Sequence, residues 1–395
     1  MKNTIKFFIL LVVGICYSCN NSRDKSLTKN MCKTMLSVDL DLENSQVSFY
    51  DLFDNVSLIP LETKEESFLH RIDKIIFYND SIFIMDKRQG TIFLFDSNGK
   101  YLSKLFKQGG GPDEYFDLSD FTINPYTNNL ELLSAYKGIY CYDLNFDFIE
   151  RIPVLDKGSL VHRFAVVDSC TRVLFNVVRM HNIEVYDICD KKIQGKYFEV
   201  PANIRRNTPL GGPFLLECIK KGEALFTQPF SNTVYSVSRS SFTPRYKWDF
   251  GKYNFNINKL KPNLSQNEYD DILGSDSFLA NNVYSFLSNA ENELFYLVQF
   301  SFGKRHDIFT VIYEKGSGQY KKIRELEEGI SFPYYPVLTE DFMYTIARDT
   351  SVINKYLNEK IKKENNIVLD KLGGERNPVI LRYKPKIRNY HPIHD

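Results

Sequence analysis

The chain lacks an excess of charge of either sign, with 50 basic residues against 49 acidic ones in a total of 395. A protein that holds nucleic acid by neutralising phosphates shows a basic surplus, so no nucleic-acid partner is expected. Cysteine is sparse and irregularly spaced, seven residues with no CxxC beyond Cys16-Tyr17-Ser18-Cys19 of the N-terminal stretch and no Cys/His pattern, which excludes a disulfide framework or a zinc module as the organising principle. HExxH, HxH and GK[ST] strings are missing as well. No metal and no cofactor is therefore expected, although His162, His181 and His306 fall in separate segments that a radial fold can draw together. The single tryptophan, Trp248, sits in a strand-like run and reads as core. Long apolar stretches are absent too; the run from Phe7 to Ile15 is too short to cross a bilayer.

That short run has the order of a secretory signal. Lys2 and Lys6 precede it, and small or polar residues follow before Cys19. Tyr17-Ser18-Cys19 resembles a bacterial lipobox, with Cys16 where such boxes carry an aliphatic residue. Cleavage there would leave Cys19 as a lipidated N-terminus; plain secretion is the alternative. Residues 1–18 are read as signal peptide, 19–45 as a polar tether and 46–395 as the folded domain. Contact with a membrane is expected through the lipid anchor only.

What is abundant is strand and turn. From Lys74 to Phe106 four β-rich runs alternate with Asn79-Asp80, Gln89-Gly90 and Asn98-Gly99, the chemistry of tight antiparallel turns. The third run, Ile92 to Asp96, recurs as Ile139–Asp143, Ile183–Asp187, Val234–Ser238, Phe309–Glu314 and Val379–Tyr383. The first three intervals, marked by Phe95, Tyr142, Tyr186 and Val237, suit a four-stranded repeat of roughly 40–50 residues. Two later intervals are lengthened by insertions with helical grammar. Ser265-Gln266-Asn267-Glu268 is a capping box that opens a helix over Gln266 to Leu273, and Ser351 to Leu372 carries apolar residues at helical spacing.

A twisted four-stranded sheet cannot bury both faces alone. Six such units arranged radially give an all-β, six-bladed β-propeller with two short helical insertions. The last unit lacks a fourth strand, while Val56 to Leu61 near the N-terminus lacks a partner; that strand is expected to close the ring. A β-sandwich, or two smaller all-β domains, is the alternative.

SLIPLE at Ser57–Glu62, DKR at Asp86–Arg88, FDSNGK at Phe95–Lys100 and KQGGGPDEY at Lys107–Tyr115 resemble a family of six-bladed β-propeller proteins abundant in gut Bacteroidetes. These are mostly lipoproteins of unknown function, distantly similar to NHL-repeat propellers. The resemblance spans nearly the whole mature chain and implies a location in the cell envelope, periplasmic or outer-membrane. It implies no reaction. Gly110 and Asp113 stand where the family carries Arg or Lys and Gly.

Strand order places the turn between a blade's second and third strands at the same end as the connection to the next blade. That end collects the long segments Lys107–Leu118, Pro201–Pro213, Lys252–Asn281 and Asp349–Arg376, so a binding face is expected there. Its turns supply Lys87, Arg88, Lys137, Arg179, His181, Lys304, Arg305 and His306. Arg88, Lys137, Arg179, His181, Arg305 and His306, together with Tyr115 of the glycine-rich loop, form the candidate ligand set. A basic funnel would suit a carboxylate, phosphate or acidic sugar; solvent-facing turn residues are the competing reading. Asp86, Asp96 and Asp143 end their strands and read as turn caps rather than acids or bases. Tyr126 and Tyr334-Tyr335 are candidates for stacking on a sugar. Cys170 and Cys189 fall in the first and third turns of the third unit, where they can approach each other or be held by an intervening strand pair beyond the ~7 Å reach of a disulfide, so their pairing is left open. A binding module for an acidic glycan, a peptide or an envelope protein is preferred. The alternatives are a propeller lyase or hydrolase acting on an acidic carbohydrate or ester, and a scaffold.

Overall fold

The computed structural model describes residues 32–153, 161–176, 180–204, 216–239, 241–262, 264–303, 307–333, 335–339, 341–348, 353–355, 357, 359–364 and 376–386. An edge strand, β1 (Met35–Ser37), and a turn of helix, α1 (Phe49–Leu52), lead into β2 (Phe53–Pro60). Blade I is β3 (Lys74–Tyr78), β4 (Ser81–Asp86), β5 (Thr91–Asp96) and β6 (Tyr101–Leu105). Blade II is β7 (Asp120–Ile123), β8 (Leu130–Ser134), β9 (Gly138–Tyr142) and β10 (Phe148–Ile152); blade III is β11 (Val161–Val166), β12 (Thr171–Asn176), β13 (His181–Asp187) and β14 (Lys192–Glu199). Blade IV comprises β15 (Leu216–Lys220), β16 (Glu223–Thr227), β17 (Thr233–Val237) and β18 (Phe242–Asp249). After helices α2 (Gln266–Gly274) and α3 (Asp276–Asn281) comes blade V: β19 (Ser285–Glu291), β20 (Phe295–Phe302), β21 (Asp307–Glu314) and β22 (Tyr320–Ile323). Blade VI holds β23 (Val337–Leu338), β24 (Met343–Ala347), helix α4 (Glu359–Glu364) and β25 (Val379–Pro385).

The ring closes as expected. β2 pairs antiparallel with β25, from Phe53 opposite Pro385 to Pro60 opposite Val379, and becomes the outer strand of blade VI. All six recurring strings fall on third strands. The Asn79-Asp80 turn has positive φ at both residues, 45° and 56°, as a type I′ turn requires. Gly99 has φ 84°, and a Cβ there would collide with the Pro60 carbonyl; glycine is needed where blade I meets the closing strand.

Six apolar clusters fill the six gaps between consecutive blades. Middle strands such as β8 and β12 are buried on both faces along their whole length, and the charged pair they carry, Arg172 on β12 and Glu131 on β8, is buried with them and satisfied across the blades. Trp248 is fully buried, its indole N–H donating to Asn289 at 2.9 Å. Cys141 is a small buried residue. The predicted capping box of α2 is present, with the Glu268 amide donating to Ser265 Oγ and the Ser265 amide to the Glu268 carboxylate. A seventh cluster packs α2 onto the connection after blade III through Val200, Ile204, Leu260, Leu264 and Tyr269.

Two expectations need correction. Over its described part the segment read as tether is docked, because Leu36 and Val38 alternate inward and are 2% and 3% exposed. β1 runs parallel to β18 as a fifth strand of blade IV. The chain then crosses blade V, where the Ser45 amide donates to the Lys322 carbonyl at 2.8 Å and Lys322 Nζ to the Leu40 carbonyl at 2.9 Å. Second, Cys170 and Cys189 form a disulfide with Cα atoms 5.4 Å apart. They flank β12 and β13, which are direct neighbours with Thr171 opposite Asp187, so no strand intervenes.

The strap predicts a stability effect that a free tether would not show. Leu36→Ala should cost about 2–5 kcal/mol, the range for a buried leucine, read as a lower midpoint in chemical denaturation. An unchanged midpoint would mean that the segment contributes nothing to the fold.

Candidate basic site at the channel mouth

The first strand of each blade lines the central channel, and β3, β7, β11 and β15 touch one another in succession. All four begin at the end that bears the long connections, here the loop face. Lys74 opens β3, Asp120 opens β7, and Val161-His162-Arg163 open β11. Asp120 is fully buried and joins three blades. One carboxylate oxygen accepts from Lys74 Nζ at 2.8 Å and lies 3.8 Å from the Arg163 guanidinium; the other accepts from the Phe164 amide at 3.2 Å. Lys74 Nζ also donates to the Phe121 carbonyl at 2.7 Å. Burial alone would raise the Asp120 carboxyl, but the charges of Lys74 and Arg163 and the lysine hydrogen bond together hold it below the usual range.

Lys87, in the turn after β4, faces the same cluster. Burial lowers its amine, the Asp120 carboxylate opposes that, and the Arg163 charge adds to it. Its backbone amide donates to Asp73 at 2.8 Å, whereas Nζ makes no hydrogen bond or ion pair among the described residues. His162 is the residue at which the β11–β12 register slips, between Val161 opposite Asn176 and Arg163 opposite Phe175. Such a bulge re-aims a side chain. Burial, then the charges of Lys87 and Arg163, lower the His162 pKa, so its imidazole is neutral near pH 7. Its Nε2 is buried and unpartnered, as are both polar atoms of the Asn176 side chain.

The expected ligand set fares unevenly. Arg88 and Lys137 are exposed, His181 is half-buried, and none of the three shares a hydrogen bond or ion pair with another. Arg179, Arg305 and His306, with Lys304, lie outside the described residues. Tyr115 is fully buried beneath the glycine-rich loop rather than lining the mouth. Its hydroxyl donates to the Gly90 carbonyl at 2.6 Å and accepts from the Lys107 amide at 3.2 Å. Glu114 closes the same loop by accepting from the Gly111 amide. Asp86, Asp96 and Asp143 cap turns through backbone amides. Tyr126 is half-buried and donates to the Val167 carbonyl; Tyr335 is 44% exposed. Lys74, Asp120 and Arg163 escaped the sequence reading, and their only signal was position at the start of first strands.

A family model described as a domain of unknown function, DUF4934, matches residues 35–384. Among solved structures, a putative exported protein from Bacteroides fragilis NCTC 9343 aligns with a TM-score of 0.71 at 16% identity, over 90% of this chain and 100% of that one. A member of the duf4221 family from Bacteroides vulgatus ATCC 8482 scores 0.50 at 10% identity, over 85% and 98%. Identities this low establish a shared fold and nothing finer. No curated protein matches the chain.

Two substitutions test this geometry. Asp120→Asn leaves cations at the mouth without their buried counter-charge and should cost about 3–5 kcal/mol. Because the folded carboxyl sits below its usual 3.8, its contribution is complete above roughly pH 4 and is lost as pH falls through the folded value; the variant should therefore show a shallower acid-unfolding slope. Tyr115→Phe removes the hydrogen bond to Gly90 and should cost about 1 kcal/mol, with thermal unfolding as the readout.

Proposed function

Because the chain belongs to the DUF4934 family of domains of unknown function, we propose its role from the loop face itself: an exported, lipid-anchored binding module of the cell envelope that engages an acidic glycan or an envelope protein. One observation carries the reading. All four exposed aromatic side chains among the described residues, Phe106, Phe116, Tyr136 and Tyr335, lie on the loop face, at 57%, 59%, 68% and 44% exposure. Met180, 54% exposed, joins them. Large rings left in water at one end of a rigid ring offer stacking surface for a sugar or an apolar anchor for a protein. Lys137 adjoins Tyr136 and Arg88 stands in the equivalent turn of blade I, and both give the surface its preference for negative partners. The signal-like N-terminus and Cys19 support export and anchoring, and the similar Bacteroides fragilis protein is itself described as a putative exported protein.

The enzymatic alternative, a lyase or hydrolase acting on an acidic carbohydrate or ester, would draw on His162, a neutral imidazole with a buried, unpartnered nitrogen at the channel mouth. Product analysis after incubation with any bound glycan separates the two, since a binding module returns its ligand intact.

A glycan array probed with the purified protein should give hits on acidic glycans that weaken as salt rises. Phe116→Ala combined with Tyr136→Ala should weaken them at least tenfold without moving the unfolding midpoint. Hits that survive the double substitution would place the binding surface elsewhere; a blank array on folded protein, followed by specific capture of an envelope protein, would make the partner a protein. Cys19→Ser should move the chain from the membrane to the soluble fraction, and continued membrane association would rule out the anchor.

A further inference from the structure

The mouth of the channel holds more donors than its acids use. Asp120 is occupied by Lys74 and the Phe164 amide. Asp73 is held by Arg71 at 2.6 Å and by the Lys87 amide. Asp117 accepts from Ser119 and Ser134 and from the Ala135 amide. What remains is the Lys87 ammonium, which has no partner among the described residues, and the Arg163 guanidinium, whose one ionic contact among them is the 3.8 Å approach to Asp120. Beside them stand two side chains with unmet hydrogen-bonding capacity, the bulged His162 and Asn176. Asn176 is 0% exposed and sits directly across the ladder from Val161, the neighbour of His162. A buried amide with neither its oxygen nor its nitrogen engaged carries a free-energy cost that a leucine there would not.

We propose that Lys87, Arg163, His162 and Asn176 form an oxyanion site at the channel mouth, which takes the carboxylate, or a phosphate, of the ligand held by the loop face. The inference rests on the loop-face reading and adds the charged group that the ligand must carry. A carboxylate or phosphate brings the several lone pairs that this donor set lacks, and both Arg163 and Lys87 already lie within electrostatic reach of His162. Aromatic rings on the rim and cations in the throat together select a sugar or similar ring with an anionic substituent directed inward.

The purified full-length protein is titrated with sodium glucuronate, inorganic phosphate and, as uncharged control, glucose. Glucuronate, phosphate or both should bind, and glucose should not; which anion is tighter identifies the source. Lys87→Met should weaken the anion at least tenfold with an unchanged unfolding midpoint, because Nζ makes no hydrogen bond or ion pair among the described residues. Asn176→Leu should leave the midpoint unchanged or higher while weakening the anion several-fold, a combination that a purely structural asparagine would not produce. Equal affinity in wild type and Lys87→Met overturns the site, as does a lowered midpoint with unchanged binding in Asn176→Leu. If no small anion binds but acidic glycans are still retained through Phe116 and Tyr136, the oxyanion site falls and the loop-face reading stands; if neither binds, both fall.

Discussion

The pairing of β2 with β25 is the constraint on which the rest of the structure depends. A blade with two apolar faces is stable only between two neighbours, and a row of six leaves its end blades with one naked face each. Joining a strand from residues 53–60 to one from 379–385 turns the row into a ring, and every apolar gap is then shared. Because the joint links opposite ends of the chain, its loop-closure entropy is large and falls due before the ring returns any contact. The strap adds to the joint. By covering the outer edges of blades IV and V on its way to blade VI, it blunts two strand edges that would otherwise offer open ladders to other chains.

The two ends of the ring use charge in opposite ways. On the face away from the long connections, ions pair between blades: Arg172 forks onto Glu131 at 2.6 and 2.7 Å across blades II and III, and Arg245 bridges Glu223 and Glu291 across blades IV and V. The disulfide lies at this end as well. On the loop face Asp120 ties blades I, II and III, yet Lys87 and Arg163 stay under-compensated around it. A stability argument accounts for the first end. It does not account for cations kept half-buried beside one another at the second, where the same positions could hold neutral side chains at lower cost.

The fold was legible because its information is local and repeated. Third-strand strings, type I′ turn chemistry and the capping box of α2 each depend on a few adjacent residues, and six repetitions average out local ambiguity. The strap carried a strand signal, the alternation Leu36, Val38, Leu40 and Leu42, but the stretch is short and follows a polar run, and only the groove between blades IV and V gives it a destination. The turn positions of Cys170 and Cys189 were legible, and their pairing stayed open only because a strand pair was counted between them where β12 and β13 are direct neighbours. At the site, exposure misled. Arg88 and Lys137 advertise themselves in turns and point outward, while Lys74, Asp120 and Arg163 sit at strand starts, dozens of residues apart in sequence and adjacent only around the channel. Tyr115 drew attention by following the glycine run, and its hydroxyl serves the loop from beneath.

The loop face divides labour by depth. Rim aromatics present area without charge, and the mouth beneath presents charge with little area. Rigidity makes that division useful: Lys74, Asp120, His162 and Arg163 stand on the innermost strands of three blades, tied by the buried Asp120 carboxylate. His162 and Asn176 leave buried hydrogen-bond capacity unmet side by side at that mouth, a cost the packing of the ring does not require.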